Sequence, residues 1–133
     1  MLRLDATAHV RILRHAFEGL PEEACGLLVG SHADSRADTF EPCVNEAASS
    51  KLYSIGGRDF MRIDRAAEAA GAEIVGVVHS HTHTQAYPSP TDVRQAPDPA
   101  WHYVIVSLRL AEPELRSYRI VDGEILEEPV VLV

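Results

Sequence analysis

Residues 74–92 read IVGVVHSHTHTQAYPSPTD. The apolar run at 74–78 leads directly into a turn-rich segment, the pattern of a buried strand. Alternate side chains of a strand share a face, so His79 and His81 point the same way at its end. After them comes a proline-rich stretch that has room for only a short helix, from which Asp92 can fold back over the strand end. Two imidazoles and a carboxylate make a three-ligand zinc set. Its fourth position stays open for water, which distinguishes a catalytic zinc site from a structural one. Iron can use a similar set, but this combination of donors favours zinc.

Outward from that stretch, Asp5 caps a predicted first helix in which Val10, Leu13 and Phe17 recur at helical spacing, ending near Gly19 and Pro21. Residues 24–29 form a short apolar run closed by Gly30, read as a strand. The polar segment 31–38 is a hairpin loop by composition, leading to a second strand at 39–44. A third strand is expected at 52–55, stopped by Gly56 and Gly57. An alanine-rich helix follows at 59–70, with Gly71 as its stop. Beyond the histidines, 102–108 is predicted as a covered central strand. The runs 115–121 and 124–131 flank Asp122 and Gly123, a two-residue hairpin signal. No repeat or linker interrupts this order. The expected fold class is mixed α/β, a single domain over residues 1–133 with strands outnumbering helices.

Composition narrows the function. The chain has 133 residues, of which 46% are hydrophobic and 24% charged, ordinary values for a globular domain with a real core. Twelve Lys and Arg against twenty Asp and Glu give a net charge of −8, and Lys51 is the single lysine. Nucleic acid is therefore not an expected partner, because phosphate binding needs concentrated positive charge. No run approaches membrane-spanning length, so a membrane is not expected either. Cys25 and Cys43 form neither a C-x-x-C pair nor a disulfide framework, and the N-terminal segment is charged throughout. A cytoplasmic protein with reduced thiols is the expectation.

Amide or ester chemistry at such a metal needs a proton shuttle beside the activated water. Glu22 and Glu23, at the start of the first long strand, are the candidates. Ser89 has two readings. With Pro90, Thr91 and Asp92 it forms the S-x-x-D capping box, with proline favoured at the first helical position. Alternatively its hydroxyl donates to the oxyanion of a tetrahedral intermediate. His9, His15, His32 and His102 are read as structural or surface residues. His83 continues the alternation but is read as a loop residue, since a fourth protein ligand would close the open position. Cys25 is read as a small buried hydrophobe. No G-x-S-x-G elbow supports a serine hydrolase.

H-x-H, seven residues, then S-x-x-D, with E-A-C-G-L-L-V-G far upstream, resembles the JAMM (MPN+) metallopeptidase motif. The resemblance implies His79, His81 and Asp92 as ligands of one Zn2+ per chain. With Gly26 as the strand glycine, it implies Glu23 as the acid/base, Glu22 as a bystander and Ser89 as the oxyanion donor. It implies a central mixed sheet flanked by helices, of the cytidine-deaminase-like kind. P-E-E-A-C-G-L-L-V-G (21–30), the stretch 79–93, H-Y-V-I-V-S (102–107), E-L-R-S-Y-R-I-V-D-G (114–123) and E-E-P-V (127–130) resemble the small bacterial Mec-type enzymes.

Those enzymes hydrolyse a cysteine adduct from the C-terminal glycine of a ubiquitin-like sulfur carrier protein (CysO), a step in cysteine biosynthesis. The expected partner is therefore a carrier ending in Gly-Gly, with a homodimer compatible with the reading. Compared with eukaryotic deubiquitinating relatives, this chain is too short for the insertions that grip ubiquitin. Tyr53, Ile55, Gly56 and Tyr87 are expected to wall the groove that takes the tail. The alternatives are a broader deubiquitinase-like or tail-trimming peptidase, and a non-catalytic MPN scaffold.

Overall fold

A computed structural model describes residues 1–133. In chain order it contains β1 (Leu2–Leu4), α1 (Ala6–Gly19), β2 (Cys25–Ser31), β3 (Arg36–Cys43), α2 (Gly57–Ala69), β4 (Glu73–His81), α3 (Pro90–Arg94), β5 (His102–Ser107), β6 (Glu114–Val121), β7 (Glu124–Glu128) and β8 (Val130–Leu132). Every residue of β4 after Glu73 is buried, because the strand lies inside the sheet and carries a helix over each face. Its neighbours are β2, antiparallel, and β5, parallel, which makes the sheet mixed. The spatial order is β7-β6-β5-β4-β2-β3-β1-β8.

Alternation along these strands sorts the core into two layers. Leu27, Val77, Tyr103 and Ile105 face α2, which contributes Ile63 and Ala67. Leu28, Val78, Val104 and Val106 face α1, which contributes Ala8, Ile12 and Ala16. The buried face of α1 thus differs from the expected one: Val10 and Phe17 are 59% and 48% exposed, and Leu13 only packs at the margin. Two alanines flanking Ile12, not Val10 or Phe17, lie against the sheet. Asp5 caps α1 as expected, accepting from the Ala8 amide at 3.0 Å. Gly26 has a steric role as well, since a Cβ there would run into the Phe40 ring lying across β2.

The edges explain the other departures. β7 and β8 sit at opposite ends of the strand order yet are separated by Pro129 alone, so the sheet curls until its edges meet. The single strand expected at 124–131 is split there, because proline cannot donate to the ladder while its carbonyl still accepts from Leu2. Next to the break, Glu128 accepts from His102 Nδ1 and from Ser117 Oγ (2.8 Å), all three side chains buried. β3 begins at Arg36, inside the expected loop, which shrinks to 32–35. No strand forms at 52–55, where only a bridge between Asn45 and Ile55 exists. Gly56 and Gly57 do not stop a strand; they begin α2. No helix is long and apolar enough to cross a membrane.

Candidate metal centre

β4 ends on His79 and His81, both buried and both on the α2 side. The carboxylate that meets them is positioned by local rules. Ser89 caps α3, with Oγ accepting from the Asp92 amide at 3.0 Å, and Asp92 Oδ2 accepts from the Ser89 amide at 2.8 Å. A third-position acid in a capping box turns its carboxylate back toward the helix start. Here that direction is also the end of β4.

As a result, three atoms surround one point. His79 Nε2 and His81 Nε2 are 3.1 Å apart, and Asp92 Oδ2 lies 3.1 Å from the first and 3.2 Å from the second. A tetrahedral zinc with bonds of about 2.0–2.1 Å needs its ligands about 3.3 Å apart, so the trio fits that ion closely. The proton pattern agrees. His81 Nδ1 donates to the Gln85 carbonyl at 2.8 Å, which leaves Nε2 of the neutral ring a bare lone pair facing a carboxylate oxygen. Two acceptors at that distance repel unless a cation lies between them. Burial resists charge on Asp92, yet the two imidazoles beside it and the bond from the Ser89 amide hold its carboxyl far below the usual carboxylate range. Burial likewise holds His79 below the ordinary imidazole value. At His81, burial is outweighed by Asp92 and the Gln85 carbonyl, which raise it.

Glu23 arrives from the partner strand. Cys25 pairs with His79, and the Ser80 amide donates to the Ala24 carbonyl at 2.9 Å. Two residues before Cys25, Glu23 therefore stands opposite His81 on the same face. Its amide donates to the Ser49 carbonyl (2.8 Å) and its carbonyl accepts from Asn45 Nδ2 (2.9 Å), which fixes the backbone. Burial pushes its carboxyl up to about 7, with His81 opposing and Asp92 adding to the rise. Glu22 is exposed.

Two supporting residues, Asn45 and Ser80, carry no expectation from the sequence, and a third, Tyr53, takes a role beyond the expected one. Asn45 ties the 45–54 loop by accepting from the Ala47 and Ser54 amides, both at 3.0 Å, while it also holds Glu23. Ser80, between the two histidines, accepts from the Ala24 amide at 2.8 Å and ties the start of β2 to β4. Tyr53, expected as a groove wall, also stacks on His79 with ring centres 4.4 Å apart and planes at 17°. An asparagine before a loop and a serine inside H-S-H were the available signals; nothing local marks a tyrosine as a ligand's support.

The expected groove is divided. Tyr53 and Ile55 line a hollow of about 510 Å³ together with Leu27, Phe60, Val77 and Trp101. Tyr87 lies elsewhere, edge-on to Tyr118 and beside His81 and Ser89 in a second hollow. Gly56 caps α2, with the Glu46 carboxylate filling the space its Cβ would need. His83 is exposed and pairs with Thr82 Oγ1 at 2.8 Å. Both thiols are buried, and burial pushes each up to about 12, which disfavours the thiolate form that a nucleophile needs.

Residues 5–121 match the family model of prokaryotic homologs of the JAB domain. Over 145 residues the chain is 41% identical to the CysO-cysteine peptidase of Mycobacterium tuberculosis, covering 100% of this chain and 98% of that one. It is 36% identical over 111 residues to the desampylase of Haloferax volcanii, covering 80% of each. Among solved structures, one from Desulfitobacterium hafniense superposes with a TM-score of 0.91 at 32% identity, covering 100% of this chain and 93% of that one. A JAB1/MPN domain protein from Archaeoglobus fulgidus shares the fold, with a TM-score of 0.63 at 22% identity, covering 98% of this chain and 99% of that one.

Proposed function

We propose, from the premise that this chain belongs to the family of prokaryotic homologs of the JAB domain, that it is a zinc-dependent peptidase acting on a ubiquitin-like sulfur carrier. The bond cut is the amide at the carrier's C-terminal glycine, and the product released is cysteine from a carrier–cysteine adduct. The observation that carries this reading is the trio of His79, His81 and Asp92 atoms, mutually 3.1–3.2 Å apart, with the buried carboxyl of Glu23 on the same face. The likeness to the CysO-cysteine peptidase along the whole chain supports the choice of substrate.

Amide hydrolysis breaks one C–N bond, places the hydroxyl of water on the carbonyl carbon and gives its proton to the departing amine. A zinc ion held by the trio would supply the Lewis acid that polarises the carbonyl and makes water nucleophilic near neutral pH. The protein does the rest. Glu23, with its carboxyl near 7 before any cation is bound, takes the proton from water and passes it to the leaving nitrogen. Ser89 can serve two purposes together: its oxygen accepts from the Asp92 amide through a lone pair and keeps its own O–H to donate to the developing oxyanion. The apolar hollow beside Tyr53 suits an extended tail.

Zinc-loaded protein should convert a carrier–cysteine conjugate into carrier ending in Gly-Gly and free cysteine, followed by mass spectrometry. Glu23→Gln should keep zinc and lose turnover. Full activity in both chelated protein and Glu23→Gln would rule out the metal mechanism. The likeness to the Haloferax desampylase supports a second reading, a broader peptidase for conjugates of ubiquitin-like proteins. A protein–protein isopeptide cleaved faster than the cysteine adduct would favour it.

A further inference from the structure

We infer that Arg109 forms a carboxylate-binding subsite for the leaving amino acid, making the enzyme selective for a free α-carboxylate on the departing side; this rests on the peptidase reading above. Two hollows flank the proposed metal ligands. One adjoins Tyr53, which stacks on His79, and its lining mixes Leu27, Val77 and Trp101 with Ser54 and Asp98. The other, of about 470 Å³, is lined by His81, Gln85, Tyr87 and Ser89. Gln85 and Tyr87 also line a neighbouring space of about 290 Å³ whose charged lining is Arg109, Glu114, Arg116 and Glu127.

Within that space Arg116 is already engaged. It donates to Glu114 at 3.2 Å and to Glu127 at 2.8 Å, so these three neutralise one another in part. Arg109 pairs with no carboxylate and is the one cation left to receive an anion. Its backbone is fixed to the ligand strand. Ser107 pairs with His81 across β5 and β4, the Leu108 amide donates to the His81 carbonyl at 2.9 Å, and the Arg109 amide donates to Ser107 Oγ at 3.2 Å. Ser107 Oγ in turn donates to the Thr84 carbonyl at 2.6 Å. One strand over and two residues on, Arg109 starts about 8 Å from the His81 backbone. A single amino acid plus an arginine side chain spans such a gap.

Chemistry then assigns the sides. The carrier tail is long and carries no charge near the scissile amide, which suits the hollow beside Tyr53, whose lining holds no cation. A leaving cysteine carries an α-carboxylate toward Glu23 and Asp92 on a chain of net charge −8, so its approach needs a compensating cation. Arg109 supplies it, in a fork geometry matched to carboxylate. A lysine side chain departing from a protein isopeptide would present no such group.

The test compares carrier–cysteine with carrier–cysteinamide, identical but for the charge. Wild-type kcat/KM should favour the acid by about tenfold, the worth of one charge-assisted bond at a solvated site. Arg109→Gln should bring the ratio near one, Arg109→Lys should restore part of it, and Arg109→Glu should invert it. Circular dichroism checks that each variant folds. Equal cleavage of acid and amide by wild type overturns the inference alone, as does a ratio unchanged in Arg109→Gln. A KM raised equally for both conjugates also overturns it, placing Arg109 in docking of the carrier body. Cleavage of neither conjugate by zinc-loaded wild type removes the peptidase reading, and this inference with it.

Discussion

Ser89→Ala separates two roles that one hydroxyl can hold. Loss of the cap removes the bond from the Asp92 amide, worth about 1 kcal/mol, and α3 is only five residues long and lies on the surface. In a domain of this size such a loss lowers Tm by roughly 3–5 °C. The opposite half of the box survives, because the donor to Asp92 Oδ2 is the Ser89 backbone amide. Asp92 therefore keeps its aim, and zinc affinity should fall by no more than about fivefold, the equivalent of the cap. Loss of an oxyanion donor is far larger, about 10²–10³ in kcat. Three measurements on the same samples decide the matter: zinc content by competition with a chromophoric chelator, Tm, and kcat at saturating zinc. The expected result is near-normal zinc, a small drop in Tm and at least a hundredfold loss in kcat, with Ser89→Thr recovering both functions. Asp92→Asn is the control that should lose the metal itself. A kcat within fivefold of wild type would reduce Ser89 to a cap, and a kcat loss that tracks zinc loss would make it a support of Asp92.

Two further outcomes test the frame around the site. Tyr53→Ala should weaken zinc binding by up to about tenfold through loss of the stacked ring on His79, while Tyr53→Phe should not; equal affinities in all three proteins would return Tyr53 to the groove alone. Glu128 has its carboxyl held at about 2: burial works against the charge, but His102 and Ser117 hydrogen bonds outweigh it. A depressed folded value means stability that is present above about 4.5 and lost as pH falls toward 2, about 2 kcal/mol after allowing for solvent screening near the sheet edge. Urea unfolding of Glu128→Gln between pH 6 and 2.5 should show a flatter acid limb than wild type, and parallel limbs would sink the assignment.

What could be read in the sequence follows from how far apart the interacting residues are. His79 and His81 share a strand, and Asp92 is aimed by a capping box four residues long, so short-range rules bring the whole candidate ligand set together. Glu23 was reached by resemblance; its face depends on the pairing of β2 with β4 across more than fifty residues, which no local pattern encodes. The first helix was identified correctly but on the wrong face, because periodicity in large apolar residues ignored the alanines that a close helix–sheet contact selects. The break at Pro129 departs from the single strand expected at 124–131, because a local pattern does not say which partner each half takes. Only the pairing of β8 with β1 turns a proline in a strand into the hinge by which the sheet closes.

The same distinction explains why one loop was misread. Residues 52–55 have strand-like composition, but their backbone groups are satisfied elsewhere: the Ser54 amide donates to Asn45 Oδ1, and the Leu52 carbonyl accepts from Asn45 Nδ2. Asn45 thereby replaces a strand partner. In doing so it fixes the loop that brings Tyr53 onto His79, and it holds the carbonyl of Glu23 as well. One side chain thus couples the stacking partner of a proposed metal ligand to the proposed proton shuttle. A residue that looks like an ordinary loop asparagine links two halves of the chemistry, because a regular strand at 52–55 would have turned its backbone groups to a sheet neighbour instead of to this site.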